Sequence, residues 1–345
     1  MSPNITSVHP RWAVPGGHVT IRGEHLPLGN QGPPYVQIGG EPAQVITASL
    51  QLLTVRVPAT AQTTALIQIE GISGDATSVE VARVLTTGIH QVDSPAFDGL
   101  GRLYVTHSGT RGSKEPVSIF RVARDGVREP VVAEIANPTS LALGPDGAVY
   151  VSSRFEGQVY RLTDDGKTEV YAGDLGVPTG LVFSPDGALF VGDRSGSIFR
   201  VAPDRRVEMF ATLPASVAAF HLAFGPDSCV YATAPTLASH DPVYRVTPDR
   251  LVETVCDRFG RPQGLAFDAA GMLYVADALA GSAGLYRVDP TRQPPQADLL
   301  LTAPGLVGVA FDPDGGLVLA SSDTIWRLDV DLKPYVLPHM TSESR

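Results

Sequence analysis

The chain has 345 residues, which is long enough for two domains or for one large β-fold. Hydrophobic residues make up 43% and charged residues only 18%, and the 35 Gly and 29 Pro exceed their ordinary share. This composition fits many short strands joined by tight turns, and it excludes a coiled coil, a helical bundle and a disordered chain. The net charge of −10 includes no basic block, so no nucleic-acid partner is expected.

Residues 1–85 predict a small antiparallel β-sandwich. About seven short apolar stretches supply its strands. They are Ile5–Val8, Val19–Arg22, Tyr35–Ile38, Gln44–Ile46, Leu52–Val57, Ala65–Glu70 and Ser78–Val84. The segment opens with Ile5-x-x-Val-x-Pro10 and continues with Pro15-Gly-Gly-x-Val-x-Ile-x-Gly23. These motifs resemble the IPT/TIG family of immunoglobulin-like domains, which implies an immunoglobulin-like fold.

A second pattern recurs from about residue 95 to residue 328. It reads Pro-x-Gly-Leu-Ala-Phe-x-Pro-Asp-Gly-x-Leu-Tyr-Val-x-Asp, then a loop, then Ile-Tyr-Arg-Val. The apolar residue before the turn occurs at intervals of 40 to 46 residues, at Phe97, Leu143, Phe183, Phe224, Phe267 and Phe311. A repeat of this length with four short strands per unit is typical of a β-propeller blade.

The sequence therefore predicts an all-β protein, with a six-bladed β-propeller over residues 86–338 and a disordered tail over residues 339–345. Within each unit, Pro-Asp-Gly forms the turn between the first two strands, A and B. Closure of the ring requires one strand from the other end of the repeat region. Ala82–Thr87 and Lys333–Leu337 are the two candidates for that strand.

Chain direction predicts where chemistry could occur. The A–B turns lie on one face of a propeller, so the other connections surround the mouth of the central channel on the opposite face. Residues that enter strand A or leave strand B therefore lie at the mouth. The predicted ligand-binding residues are Asp93, His107, Thr139, Ser153, Thr179, Asp193, Phe220, His221, Gln263 and Asp277. A small molecule or a protein is the expected partner.

The repeats resemble the six-bladed propellers of the NHL-repeat and the gluconolactonase and senescence-marker families. The second resemblance implies one divalent metal, such as Ca, Mg or Zn, at the mouth. Its three ligand positions fall on Asp93, Thr179 and Gln263, of which only Asp93 is a carboxylate. A hard cation prefers several charged oxygens, so the site would have to be rebuilt.

Asp193 and Asp277 could complete such a metal site, or they could accept backbone N–H groups where strand B ends. His221 occupies a position where the other copies have Gly or Ser. With Asp93 it is the candidate for catalysis. His221 could act as a base, a metal ligand or a substrate contact, or it could be a hydrogen-bonded residue that fills space. His107 and His240 could join it in a soft metal site.

Three further features concern the surface and the compartment. Arg154, Arg194 and Arg261 fall near the mouth, where they could hold an anionic ligand or could be ordinary solvated charges. Cys229 and Cys256 are predicted to be buried and too far apart for a disulfide. No signal peptide or membrane span is visible, which favours the cytoplasm. A chain from which a signal had been removed would look the same, and would be extracytoplasmic.

Two functions are compatible with these patterns. The first is a binding protein that presents a ligand or partner site at the propeller mouth, with an accessory immunoglobulin-like domain. The second is a metal-dependent hydrolase of the gluconolactonase type, acting on lactones or esters, with a rebuilt metal site. The loss of carboxylates at Thr179 and Gln263 favours the binding protein.

Overall fold

The computed structural model describes residues 2–29, 32–73, 77–132, 134–163, 166–278 and 283–337. The predicted tail at residues 339–345 lies outside this range. All regular elements among the described residues are strands, as predicted for an all-β protein. Across that part of the chain, no helix has the length and apolar character needed to cross a membrane.

The N-terminal domain is a β-sandwich built from eight strands. They are β1 (Asn4–His9), β2 (Trp12–Ala13), β3 (His18–Glu24), β4 (Val36–Ile38), β5 (Glu41–Ala48), β6 (Leu52–Arg56), β7 (Thr64–Ile69) and β8 (Thr77–Val81). One layer has the order β1-β3-β6-β5, and the other contains β4, β7, β8 and β2. Strand β5 belongs to both layers because it pairs with β6 and, through its first residues, with β4.

Alternation of apolar and polar residues forms the core of this domain. Val19 and Ile21 in β3 and Leu53 and Val55 in β6 are fully buried, while their neighbours along each strand face outward. Side chains of a strand point alternately to its two faces, so one apolar face per layer is enough to close the sandwich.

The repeat region folds into a β-propeller. Five antiparallel four-stranded sheets stand alone in it. The first contains β10 (Ala96–Phe97), β11 (Leu103–Thr106), β12 (Ile119–Val122) and β13 (Arg128–Val132); the second contains β14 (Pro138–Leu143), β15 (Val149–Ser153), β16 (Gln158–Leu162) and β17 (Thr168–Ala172). The third contains β18 (Pro178–Phe183), β19 (Leu189–Asp193), β20 (Ser197–Val201) and β21 (Val207–Thr212); the fourth contains β22 (His221–Phe224), β23 (Val230–Thr233), β24 (Asp241–Val246) and β25 (Val252–Phe259). The last contains β30 (Leu306–Phe311), β31 (Leu317–Ser321), β32 (Thr324–Leu328) and β9 (Arg83–Thr87).

The fifth copy of the repeat does not form a separate sheet. Its strands β26 (Pro262–Phe267), β27 (Leu273–Asp277), β28 (Gly284–Val288) and β29 (Ala297–Thr302) belong to a 12-stranded sheet that includes the sandwich. The reason is that β2 pairs in parallel with both β29 and β8. The number of blades that stand alone is thus five, and not the predicted six.

The shared sheet ties the two domains together through Thr302. Its carbonyl oxygen accepts a hydrogen bond from Val14 N at 3.0 Å, and its Oγ1 accepts one from His18 N at 2.9 Å. Val14 and Ala82 are buried in the same apolar cluster as residues of β27, β28 and β31. The sandwich therefore covers the outer edge of β29, which would otherwise expose unpaired backbone groups.

Strand β9 closes the ring. It lies at the N-terminal end of the repeat region and pairs with β32, from Thr324 opposite Thr87 to Arg327 opposite Arg83. The candidate Ala82–Thr87 is therefore confirmed as the closing strand. The rival segment Lys333–Leu337 lies instead across the face of the A–B turns, where Tyr335 N donates to Phe267 O at 2.9 Å.

This arrangement predicts different outcomes for two truncations. Removal of residues 1–90 deletes β9, so β32 loses its partner and we expect no cooperative melt. Removal of residues 1–78 keeps β9 but uncovers β29, so we expect a folded propeller with a lower melting temperature. Circular dichroism melts of both chains test this, and a cooperative melt of the shorter chain would contradict the role given to β9.

In the second and fourth sheets, the repeated Asp, Tyr and Arg of the sequence pattern form a structural cluster. In the second sheet, Asp146 Oδ2 of the A–B turn accepts hydrogen bonds from Tyr150 Oη at 3.3 Å and from Arg161 Nε at 2.6 Å. Tyr231 and Arg245 contact Asp227 in the same way. These residues fasten the turn to strands B and C, so their recurrence reflects folding and not ligand binding.

This cluster gives the protein a pH-dependent contribution to stability. Burial raises the pKa of Asp227, but hydrogen bonds from Arg245, Tyr231 and the Cys229 N–H outweigh burial and hold the pKa below the usual 3.8. A carboxyl group with a lowered pKa stabilises the fold above its ordinary pKa, and this contribution is lost as pH falls through the lowered value.

We therefore expect Asp227→Asn to lower the melting temperature at neutral pH, and the difference from the parent chain to shrink as pH falls below 3.8. Asp257→Asn is the matched control, because Asp257 is exposed on the neighbouring strand β25. A difference for Asp227→Asn that stays constant with pH would show that the carboxylate charge is not involved.

Both cysteines are free and buried, as predicted. Burial is the main cause that raises the pKa of the Cys229 thiol, to about 11. The thiol is therefore protonated and unreactive at neutral pH.

Candidate functional site

The inner strands approach one another closely around the channel axis. A Cβ added to Gly308 would lie 2.4 Å from Ser94 Cα, and one added to Gly264 would lie 2.6 Å from Gly308 Cα. Real Cβ atoms do not come so near to backbone atoms. This ring of positions consequently holds only small residues, with one exception, His221.

His221 reaches from β22 across the channel. Its Nδ1 lies 2.5 Å from Asp93 Oδ1, and its Nε2 lies 2.9 Å from Gln263 Oε1. Asp93 precedes the first sheet, and Gln263 is the second residue of β26. One imidazole ring thus joins residues of three different repeats.

The environment of His221 leaves neither ring nitrogen available. The side chain is 0% exposed. Nδ1 faces the Asp93 carboxyl group, and Nε2 faces the side-chain amide of Gln263. The Gln263 amide engages Nε2 through its oxygen or, if the amide is turned over, through its nitrogen. In neither arrangement does His221 have a free lone pair with which to take a proton from a ligand.

The Asp93–His221–Gln263 bridge separates two cavities. The mouth cavity, of about 420 Å³, has Thr179 and Gln263 in its floor. The inner cavity, of about 460 Å³, is mostly apolar and is lined by Asp93, by the inner strands and by residues 334–337. A ligand that enters the mouth therefore meets Gln263, and His221 lies buried behind it.

Three arginines line the mouth cavity. Arg154 and Arg194 follow β15 and β19, and Arg261 precedes β26. Arg194 Nη2 donates to Val217 O at 2.8 Å, whereas the buried Nε of Arg261 has no hydrogen-bond partner among the described residues. Burial, followed by the positive charges of Arg194 and Arg111, lowers the pKa of Arg154.

Most of the other predicted site residues have structural partners. Asp193 Oδ1 accepts Val177 N at 2.8 Å, and Asp277 Oδ1 accepts Arg261 N at 2.8 Å. Ser153 Oγ donates to Ala136 O at 2.6 Å, and Thr139 Oγ1 donates to Asn137 O at 3.1 Å. Both aspartates thus accept hydrogen bonds from the backbone of the loops that lead into strand A. Of the two roles considered for them, metal ligand or acceptor of backbone N–H groups, the structure shows the second.

The remaining aromatic residues do not converge on the channel. Phe220 is completely buried. His107 packs edge-on against Phe120, with ring centroids 6.1 Å apart, and does not line the mouth cavity. His240 is exposed on a loop. The soft metal site considered for the three histidines is therefore not formed.

The residues present also do not fit the hard divalent metal that the gluconolactonase resemblance implied. Within the described ranges, no three His, Cys, Asp or Glu side chains are grouped so that they could hold a metal ion. Asp93 Oδ1 is already engaged by His221 and by Ser94 N at 2.6 Å. The prediction of Asp93, Asp193 and Asp277 as metal ligands is corrected for this reason.

Sequence reasoning missed residues that precede the first repeat. His90 and Gln91 line the mouth cavity. Gln91 Oε1 accepts Thr106 N at 2.8 Å, and Gln91 Nε2 donates to Asp93 O at 2.7 Å. Burial, followed by the charges of Arg154 and His107, lowers the pKa of His90. His90 and Gln91 lie outside the repeat pattern, so the spacing of the repeats could not place them at the mouth. Only their polar side chains could have indicated that they line it.

The fold and the site define a class of protein: an immunoglobulin-like β-sandwich followed by a β-propeller whose mouth carries a cavity lined by arginines and small apolar residues. Residues 3–82 match the IPT/TIG domain family. Among curated proteins, none matches this sequence.

Several solved structures share the fold. A proposed gluconolactonase is similar over 74% of this chain and 93% of its own, with 18% identity and a TM-score of 0.60. An auxiliary nutrient binding protein from Bacteroides thetaiotaomicron is similar over 95% of this chain and 97% of its own, with 14% identity and a TM-score of 0.55. A catalytically inactive virginiamycin B lyase from Staphylococcus aureus, solved with quinupristin, is similar over 95% of this chain and 99% of its own, with 15% identity and a TM-score of 0.53. At these identities the likeness concerns the fold alone.

The bridge itself generates a prediction. His221→Leu would leave the Asp93 carboxylate and the Gln263 amide buried without their partner, which costs about 3 kcal/mol of unfolding free energy. Urea denaturation measures this loss. His240→Leu, at an exposed position, is the control and should change stability little.

A double-mutant cycle separates the bridge from simple loss of packing. Asp93→Ala should cost less in the His221→Leu background than in the parent chain, because the interaction is already absent there. Strictly additive losses would show that the two side chains do not interact.

Proposed function

We propose that this protein is a binding protein whose propeller presents a small-molecule site in the mouth cavity. The cavity of about 420 Å³ has the size of ordinary ligand sites. It combines apolar walls with a few polar groups from several repeats, which is the usual composition of such sites. The TIG domain serves as an accessory domain fixed to the propeller through β2.

The observation that carries this proposal is that both ring nitrogens of His221 already have hydrogen-bond partners. A general base needs a lone pair within reach of the substrate proton. Here one ring nitrogen is bound to Asp93, the other to Gln263, and the ring is fully buried. The bridge therefore forms the floor beneath a bound ligand. A ligand in the mouth cavity cannot reach the His221 ring nitrogens, so the pair does not act on it as a base.

We also propose that β26–β29 act as a sixth wall of the ring. The Tyr231 and Phe267 rings contact each other at 4.8 Å between centroids, and Tyr274 contacts Phe311 at 5.0 Å. These contacts join the merged strands to the sheets on both sides. Arg261 and Gln263 of the mouth cavity come from this wall.

The likeness to an auxiliary nutrient binding protein supports a binding role for this fold. A hydrolase or lyase role is the second candidate, and the likeness in fold to a proposed gluconolactonase and to a virginiamycin B lyase favours it. Metal analysis and a panel of lactones and esters test it. Stoichiometric metal together with turnover would contradict the binding proposal.

The binding proposal predicts the effect of filling the mouth. Ala218 is a small, partly exposed residue of the cavity wall, so Ala218→Trp should occupy the space that a ligand needs. Ligands that raise the melting temperature of the parent chain in a metabolite screen should no longer stabilise this variant.

Ala61→Trp is the matched control, because Ala61 is an exposed alanine of the sandwich domain. It should respond to the same ligands as the parent chain. Ligands that stabilise Ala218→Trp as strongly as the parent chain would place the binding site outside the mouth and overturn the proposal.

A further inference from the structure

The charge of the mouth cavity is opposite to that of the whole protein. The chain carries a net charge of −10. The cavity nevertheless contains three arginines, and none of its lining residues is Asp or Glu. Such a local reversal in a protein with 36 acidic residues is not explained by composition.

The mouth arginines differ in their partners from the arginines on the outer strands. Within the described part of the chain, none of the three forms an ion pair, whereas Arg121, Arg161, Arg200, Arg245 and Arg327 on the outer strands all do. Arg154 has no side-chain hydrogen bond there either, and the buried Arg261 Nε is unpartnered. A buried donor without a partner destabilises the protein unless a ligand satisfies it.

The geometry suits one class of ligand. The arginines come from three different repeats, so their side chains surround the opening from several directions. Guanidinium groups present fixed, forked donors that match the oxygens of carboxylates and phosphates. Val92, Val217 and Val307 supply an apolar wall in the same cavity. The combination fits a molecule that has both an acidic group and a hydrocarbon part.

We propose that the mouth cavity binds a small organic oxyanion, with its acidic group held by Arg154, Arg194 and Arg261 and its apolar part against the valines. This inference rests on the proposed function and names the chemical class of its ligand. Gln263 and Thr179 in the floor provide further polar contacts.

The first arm of the test compares matched probes by titration calorimetry at low salt. Benzoate and benzamide have nearly the same shape but differ in charge, and inorganic phosphate tests the phosphate group without a hydrocarbon part. We expect benzoate to bind more tightly than benzamide. Equal binding of the two, or no binding of either benzoate or phosphate at millimolar concentrations, would overturn the proposal.

The second arm uses variants of the same chain. Arg154→Gln and Arg261→Gln should each weaken benzoate binding about tenfold, because a hydrogen bond to a charged group contributes roughly 1.4 kcal/mol or more. Arg22→Gln changes the net charge equally but lies exposed in the sandwich, and it should bind as the parent chain does. Equal weakening in all three variants would mean that only overall charge matters.

Two further variants separate the possible failures. Ala218→Glu introduces an acid into the cavity and should abolish benzoate binding even if an arginine variant folds poorly. If neutral ligands bind, are lost in Ala218→Trp and are unaffected by the arginine variants, the anion proposal fails while the binding function stands. If no ligand is sensitive to Ala218→Trp, both fail.

Discussion

Crowding of the inner strands around the channel axis is the constraint from which the other features follow. Gly264 and Gly308 approach the neighbouring backbone so closely that no side chain fits, and the same ring contains Ser94, Ser140 and Gly180. These small residues allow the inner strands to approach one another, but they leave space along the channel axis that a larger side chain can occupy. His221 does so, and its two nitrogens bind Asp93 and Gln263 on other repeats. The channel is thereby divided into a mouth cavity that contains three arginines and an inner cavity that contains none.

This division determines which side chains a ligand in the mouth cavity can reach. A histidine needs a free ring nitrogen to activate a nucleophile, whereas both ring nitrogens of His221 face other side chains. Above the bridge lie three arginines, in a cavity whose lining residues include no Asp or Glu. Electrostatics in a partly desolvated cavity is stronger than at an open surface, so three cations there matter more than the net charge of the chain.

Ring closure and domain attachment use the same physical device. A four-stranded sheet leaves edge strands with unpaired backbone groups, and natural proteins pair or cover them. Strand β9 pairs with β32 and closes the ring, and β2 covers β29 and extends the sheet into the sandwich. The TIG domain therefore has its own apolar core and also covers the exposed edge of one propeller sheet.

The sequence by itself determined the repeat, the turns, the sandwich strands and the residues that enter the channel, because these depend on local alternation and spacing. It indicated Asp93, His221 and the three arginines as residues near the mouth. Only the tertiary structure decided that His221 is capped on both nitrogens, that Asp193 and Asp277 hold backbone groups, and that the fifth repeat merges with the sandwich. The physical reason is that hydrogen-bond partners far apart in the chain meet only when the ring has closed, and spacing along one repeat does not record which groups face each other across it.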